Sequence, residues 1–265
     1  MSEPVDNRPA WNSGSVAATY AKSGSLMPAE LAVFAEAWDQ IKDARVLDIG
    51  VGGGRTLPYL RGPARDYIAI DYSQAMVDAC RARYPDADVR LGDACDLAGI
   101  ADASVDFAFF SYNSIDCIAI EQRRHVYAAA QRVLAPGGLF GFSSHNVRCL
   151  RRVPSTFSLP EIEWTAQPFR MGVRLLRAGA ETVRSYQNHK RLAPGERRGD
   201  GYAVVNDGAH EFSMLFVYAD PAWQVEELLR AGFEDVKVYD KRGRQVSPTA
   251  VVDEWVHYLA RRRKV

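Results

Sequence analysis

Three glycines at alternate positions, Gly50, Gly52 and Gly54, follow Asp48 in the run Val46-Leu47-Asp48-Ile49-Gly50-Val51-Gly52-Gly53-Gly54-Arg55-Thr56. Glycine carries no Cβ, so such a run turns tightly and lets a ligand approach its backbone. Placed at the carboxyl end of a buried strand, it can hold a dinucleotide or another nucleoside cofactor. The dinucleotide fingerprint G-x-G-x-x-G needs glycine where Arg55 stands, whereas the spacing here is G-x-G-x-G. Asp48 points the same way: a carboxylate two residues before the first glycine attracts an ammonium group and repels a pyrophosphate. Asp71 ends a second apolar run, where a carboxylate can accept both hydroxyls of a ribose, and that position alone does not separate the two kinds of cofactor.

These residues need a frame. Apolar runs at 45–49, 67–71, 89–91, 105–110 and 139–143 read as buried strands, separated by helical patterns beginning at Pro28, Thr56, Gln74 and Glu121. Ser73 is a natural N-cap for the third of these helices. Strands apolar on both faces and joined by helices imply an α/β fold, a doubly wound, mostly parallel, Rossmann-like sheet. A long strand at 211–218, a helix at 221–231, a strand at 236–239 and a terminal helix at 251–262 follow. Residues 148–200 have weak periodicity and are expected as a long, irregular segment.

In sequence order, Asp48 to Gly54, Asp71 with Ser73 and Met76, Gly92-Asp93, Arg132-Val133-Leu134-Ala135-Pro136-Gly137-Gly138 and Ala231-Gly232-Phe233 together resemble the class I S-adenosylmethionine-dependent methyltransferases. The resemblance covers roughly residues 30–145 and 206–240. It implies a seven-stranded sheet in a single domain over 1–265, an N-terminal lid over 1–28 and a substrate-side insertion over 146–205 between the fifth and sixth strands. It further implies that Gly50, Gly52 and Gly54 admit the methionine and ribose parts of S-adenosyl-L-methionine. Asp48 would help to hold the amino group, Asp71 the ribose hydroxyls, Tyr72 and Met76 the adenine, and Asp93 with Ala94 the adenine amino group. Ser111 would line the methionine end, Arg55 would reach the cofactor carboxylate or cap a carbonyl, and Tyr20 would belong to the lid.

The methyl acceptor is then expected over the ends of the fourth and fifth strands, among Tyr112, Asn113, Asp116, Ser144, His145 and Asn146. His145 and Tyr112 are the candidate catalytic residues, since histidine exchanges protons near neutral pH. The activity expected is methyl transfer, in line, to an O, N or S atom of a small polar metabolite. A nicotinamide-dependent oxidoreductase on a similar sheet and a non-catalytic S-adenosylmethionine-binding protein are the competing readings. The cluster at 206–210 and His189 are read as structural. The four cysteines form no C-x-x-C pair and no metal site is expected.

Lys and Arg number 33, as do Asp and Glu, so the formal charge is zero. That balance argues against nucleic acid or a membrane as a partner of the whole protein, and no loop of the kind that accompanies base methylation follows the fourth strand. Met1-Ser2-Glu3-Pro4 lacks the features of a signal peptide, and a cytoplasmic location is expected. The charge is uneven, however. Residues 1–147 carry 13 basic and 18 acidic side chains, 148–200 carry 11 and 5, and 201–265 carry 9 and 10. The arginines of the insertion, among them Arg152, Arg170 and Arg174, are expected to face the acceptor and favour a carboxylate or phosphate on it. The oligomeric state leaves no mark in the sequence.

Overall fold

The computed structural model describes residues 7–12, 24–151, 155–159 and 164–264. The apolar runs form β1 (Arg45–Ile49), β2 (Asp66–Asp71), β3 (Val89–Leu91), β4 (Val105–Phe110) and β5 (Leu134–Asn146). All five are parallel, in the order β3-β2-β1-β4-β5. Six helices matter to the frame besides a short N-terminal one, α1 (Arg8–Trp11). They are α2 (Pro28–Glu36), α3 (Leu57–Leu60), α4 (Gln74–Arg83), α5 (Arg123–Val133), α6 (Pro168–Leu192) and α7 (Pro221–Arg230). Pro28 stands in the first turn of α2, where its missing N–H costs nothing. The Oγ of Ser73 accepts from Met76 N and starts α4.

Helices cover both faces. Val33 and Phe34 of α2 pack on Phe107, Phe109 and Leu139. Val126, Tyr127, Ala130 and Val133 of α5 pack on Leu47, Ile49, Phe140 and Phe142 from the other side. Burial of each such large side chain contributes about 1.5–3 kcal/mol.

The carboxyl-terminal part departs from the sequence reading. Residues 255–262 form a strand, β10 (Trp255–Arg262), rather than a helix. It runs antiparallel to β5 from Trp255 against His145 to Arg261 against Leu139, and its other edge pairs with β9 (Phe233–Tyr239). Seven strands thus form the order β3-β2-β1-β4-β5-β10-β9. Three more, β6 (Arg197–Gly199), β7 (Tyr202–Val205) and β8 (Phe216–Ala219), bring the described sheet to ten.

The strand expected at 211–218 begins only at Phe216, because His210, Glu211 and Phe212 all adopt left-handed backbone angles. The side-chain amide of Asn206 donates to the carbonyls of Phe212 (2.9 Å) and Met214 (2.7 Å) and holds this turn. Within 148–200, where an irregular segment was expected, α6 runs for 25 residues.

β5 is long enough to change neighbours along one edge. β4 pairs with it as far as Phe142, and β8 then pairs with His145 and Asn146. Since β10 occupies the other edge as far as His145, β8 takes the edge that β4 vacates. The added strands therefore stand beyond the carboxyl end of β4, beside the place where the parallel strands end.

Candidate active site

The loop after β1 turns on Gly50, Gly52 and Gly54, with φ of +63°, +54° and +83°. Its Val51 N–H donates to Ile70 O at 3.0 Å and extends the β1–β2 ladder into the loop. A cavity of about 600 Å³ opens above it. Gly50, Gly52, Gly53, Arg55, Asp71, Tyr72, Met76, Asp93, Ala94, Ser111 and Tyr112 line this cavity, so four parallel strands deliver their carboxyl ends to one space. No side-chain or backbone atom lies within 4 Å of the position a Cβ on Gly52 would take. Gly54 differs, since a Cβ there would meet Tyr84 Cε2 at 2.6 Å. It allows the loop to close on α4 and does not line the cavity.

The carboxylate of Asp71 accepts from Gly52 N and Ser73 N, both at 2.9 Å. Burial pushes its pKa up to about 6. Asp93 accepts from Cys95 N at 2.9 Å and from Arg8 at 3.4 Å. Asp48 lies behind the loop instead of on the cavity wall. Its Oδ2 accepts from Thr56 Oγ1 at 2.5 Å and Tyr67 Oη at 2.9 Å, while its buried Oδ1 has no hydrogen-bond partner among the described residues. Burial raises this pKa also to about 6.

Arg55 is held from below: its two terminal nitrogens donate to the two oxygens of the fully buried Glu30, Nη1 also donates to Ser25 O at 3.4 Å, and its guanidinium stands 4.9 Å from the Tyr112 ring centre. Nε and the second hydrogen on Nη2 are not used in these bonds.

The N-terminal segment contributes residues that no local pattern marks. Asn7 donates to Cys117 O and Leu215 O, both at 2.8 Å, and accepts from Leu215 N at 3.2 Å. So anchored, it places Arg8 and Trp11 on the cavity wall, with Trp11 against Met76. Tyr20 lies outside the described residues.

His145 is not on this wall. It stands at the end of β5, with the Tyr218 ring stacked on it at 4.6 Å and Trp255 edge-on at 5.6 Å. Tyr112, which does line the cavity, is 4.9 Å from Trp255. Asp116 fixes the imidazole. One carboxylate oxygen accepts from His145 N at 2.6 Å and faces Nδ1 at 2.7 Å, and the other accepts from Ser144 Oγ at 2.6 Å and from Arg123. A carboxylate in this position accepts, so Nδ1 carries a proton, and in the neutral ring the lone pair is on Nε2. Nε2 has no hydrogen-bond partner among the described residues. Arg123 is itself buried and donates to Gln224 Oε1 at 2.9 Å, and Gln224 donates to Tyr127 Oη at 2.6 Å. This buried support crosses from α5 to α7, and Arg123 and Gln224 carried no sequence signal that separates them from ordinary helix residues.

The remaining expectations fall elsewhere. Asn113 is buried, with φ +55°, and neither of its side-chain polar atoms is paired among the described residues. His189 faces Asn206 Oδ1 at 2.9 Å and belongs to the turn at 206–214. Arg170 and Arg174 do not line the cavity; among its described lining residues the arginines are Arg8 and Arg55. Arg152 lies outside the described residues. No group of three or more metal-binding side chains occurs among the described residues.

Comparison with known proteins places this arrangement. Residues 46–138 match the family described as methyltransferase domain. A probable S-adenosylmethionine-dependent methyltransferase of Mycolicibacterium smegmatis is 36% identical over 107 residues, 38% of this chain and 38% of that protein. The biotin biosynthesis bifunctional protein BioHC of Cellvibrio japonicus is 38% identical over 136 residues, 49% of this chain and 26% of that protein. The match thus spans well under half the length of either relative. An S-adenosylmethionine-dependent methyltransferase from Clostridium acetobutylicum shares the fold at a TM-score of 0.63 and 14% identity, over 94% of this chain and 98% of that one. Residues 46–138 thus match the methyltransferase-domain family, and the chain as a whole shares the fold of S-adenosylmethionine-dependent methyltransferases.

Proposed function

We propose that the chain transfers a methyl group from S-adenosylmethionine to an oxygen, nitrogen or sulfur atom of a small polar molecule, with His145 as the base that takes the acceptor's proton. The observation that carries this reading is the glycine cradle facing Asp71 on one cavity: Gly52 leaves open the volume a side chain would fill, as a cofactor pressed against the backbone requires. The cofactor, when bound, supplies a sulfonium-linked methyl group already activated for displacement.

Everything else falls to the residues present. Gly50 and Gly52 would receive the methionine and ribose parts, and Asp71 the ribose hydroxyls. Tyr72 and Met76 would flank the adenine, with Asp93 and Ala94 toward its amino group. Ser111 would face the methionine end. Arg55 offers its two remaining N–H groups to a carboxylate while Glu30 holds it in place. Asp48 acts from behind the loop, its unpaired Oδ1 providing negative potential for the ammonium group. His145 Nε2 accepts a proton as the acceptor atom gains its methyl group, and Asp116 stabilises the imidazolium that results. Trp255 packs edge-on against both Tyr112 of the cavity wall and His145, so the acceptor would lie where the Tyr112 wall gives way to His145.

Incubation with methyl-labelled cofactor and a small-molecule extract tests this. Label is expected in a low-molecular-weight product. His145→Gln is expected to lower kcat by about 100-fold with an unchanged Kd for S-adenosylhomocysteine. Label in protein or nucleic acid alone contradicts the substrate class, and cofactor binding without transfer to anything favours a non-catalytic binding protein.

A further inference from the structure

Helix α6 carries six basic side chains, Arg170, Arg174, Arg177, Arg184, Lys190 and Arg191, against one acid, Glu181. Its anchoring lies in its last third. Arg184 pairs with Glu211 at 2.8 Å, Asn188 donates to Glu211 O at 2.9 Å, and Ser185 and Leu192 are its buried residues.

The earlier turns present a different face. Phe169, Leu176, Ala180 and Val183 follow one another at intervals of seven, four and three, which puts them on one side of a helix. Phe169 is 84% exposed, Leu176 78% and Val183 56%. Gly172 and Gly179 lie within the same exposed strip, and Trp164, 88% exposed, precedes the helix. Arg170, Arg177 and Arg184, spaced by sevens, form a parallel row beside it. Arg170 and Arg177 make no ion pair among the described residues. None of these residues lines the cavity above the glycine loop.

We propose that this face of α6 docks on an anionic lipid surface. The row of arginines selects a negatively charged partner. A second copy of the chain would bring two such rows together, with Glu181 as the sole acid on each helix to offset them. The apolar strip carries large side chains and glycines and no hydrogen-bonding group to register a protein partner. A lipid interface takes up such a strip without matching its shape, and Trp and Phe favour that depth. No described helix is long and apolar enough to cross a membrane, so the contact is superficial. The zero net charge of the chain is no obstacle, because the local field within about 10 Å decides surface attraction. The inference is independent of the proposed reaction.

The test is co-sedimentation of the full chain with vesicles of phosphatidylcholine alone or mixed with phosphatidylglycerol. Binding at least about tenfold tighter to the anionic vesicles is expected, weakening as salt is raised. Arg170→Glu with Arg177→Glu, and separately Phe169→Ser with Leu176→Ser, are each expected to abolish it while circular dichroism and S-adenosylhomocysteine affinity stay unchanged. Absence of vesicle binding, equal binding to neutral vesicles, or insensitivity to both double variants overturns the proposal. So does a dimer in sedimentation equilibrium that Phe169→Ser with Leu176→Ser dissociates, or capture of an acidic protein by a chain that ignores vesicles.

Discussion

Gly52 and Gly54 are two residues apart and answer to different demands. A side chain at Gly52 meets open space on the cavity wall, whereas one at Gly54 strikes Tyr84. Gly52→Val is therefore expected to weaken S-adenosylhomocysteine binding tenfold or more, at a folding cost of about 1–2 kcal/mol for its left-handed backbone. Gly54→Ala is expected to lower the urea midpoint more and, in the fraction that folds, to leave affinity nearly intact.

Asp48 and Asp71 add a dependence on pH. Their pKa values, raised by burial to about 6, mean that the folded state favours the protonated carboxyl. Stability from this source is complete below about pH 4 and is lost as pH rises through 6. Asp48→Asn is thus expected to be more stable than the parent at pH 7.5, by up to about 3 kcal/mol, with the difference fading toward pH 4. The same substitution is expected to weaken S-adenosylhomocysteine binding, as a charge kept for a ligand at the expense of the fold would. In the parent, affinity is expected to fall below pH 6 as both carboxylates protonate. Calorimetric titration from pH 7.5 to 5 and urea melts over the same range check both.

At the scale of elements, β5 joins the parts, since it meets β4 and then β8 on one edge and β10 on the other. Tyr258 of β10 is buried and stacks on Phe142 of β5 at 4.9 Å. Tyr258→Ala is expected to cost about 3–5 kcal/mol, read as a lower thermal midpoint that saturating S-adenosylhomocysteine partly restores. β1, β2, β4 and β5 could be read from the sequence because each carries a run of buried apolar residues and ends in glycine or a polar turn, while the three-residue β3, with Arg90 at its centre, was marked by its position between helix and Gly92.

β10 misled for a related reason. It is a central strand, so Val256, Tyr258 and Ala260 on one face and His257 and Leu259 on the other are all buried, and the alternation that marks a half-exposed strand is missing. Its Leu-Ala-Arg-Arg ending adds helix formers. α6 went unseen because its apolar strip faces solvent and is interrupted by Gly172 and Gly179. Within the site, the glycine loop and its acidic companions were readable as local patterns. The anchoring of Asn7 by Cys117 and Leu215, and the bracing of Asp116 by Arg123, join residues far apart in the chain and leave no local pattern.

The whole molecule separates its charges by task. The acidic half supplies the carboxylates around the glycine loop, and the basic segment supplies a helix face that does not line that cavity. Neutrality of the chain is the balance of an acidic first part, a basic segment over 148–200 and a nearly neutral remainder. The cofactor identity underlies both the catalytic reading and the carboxylate energetics, and parallel calorimetric titrations with S-adenosylhomocysteine and NADH probe it most directly. One S-adenosylhomocysteine per chain, with affinity lost in Gly52→Val and no heat from NADH, is the expected result. Saturable NADH binding to a chain that ignores S-adenosylhomocysteine would contradict it.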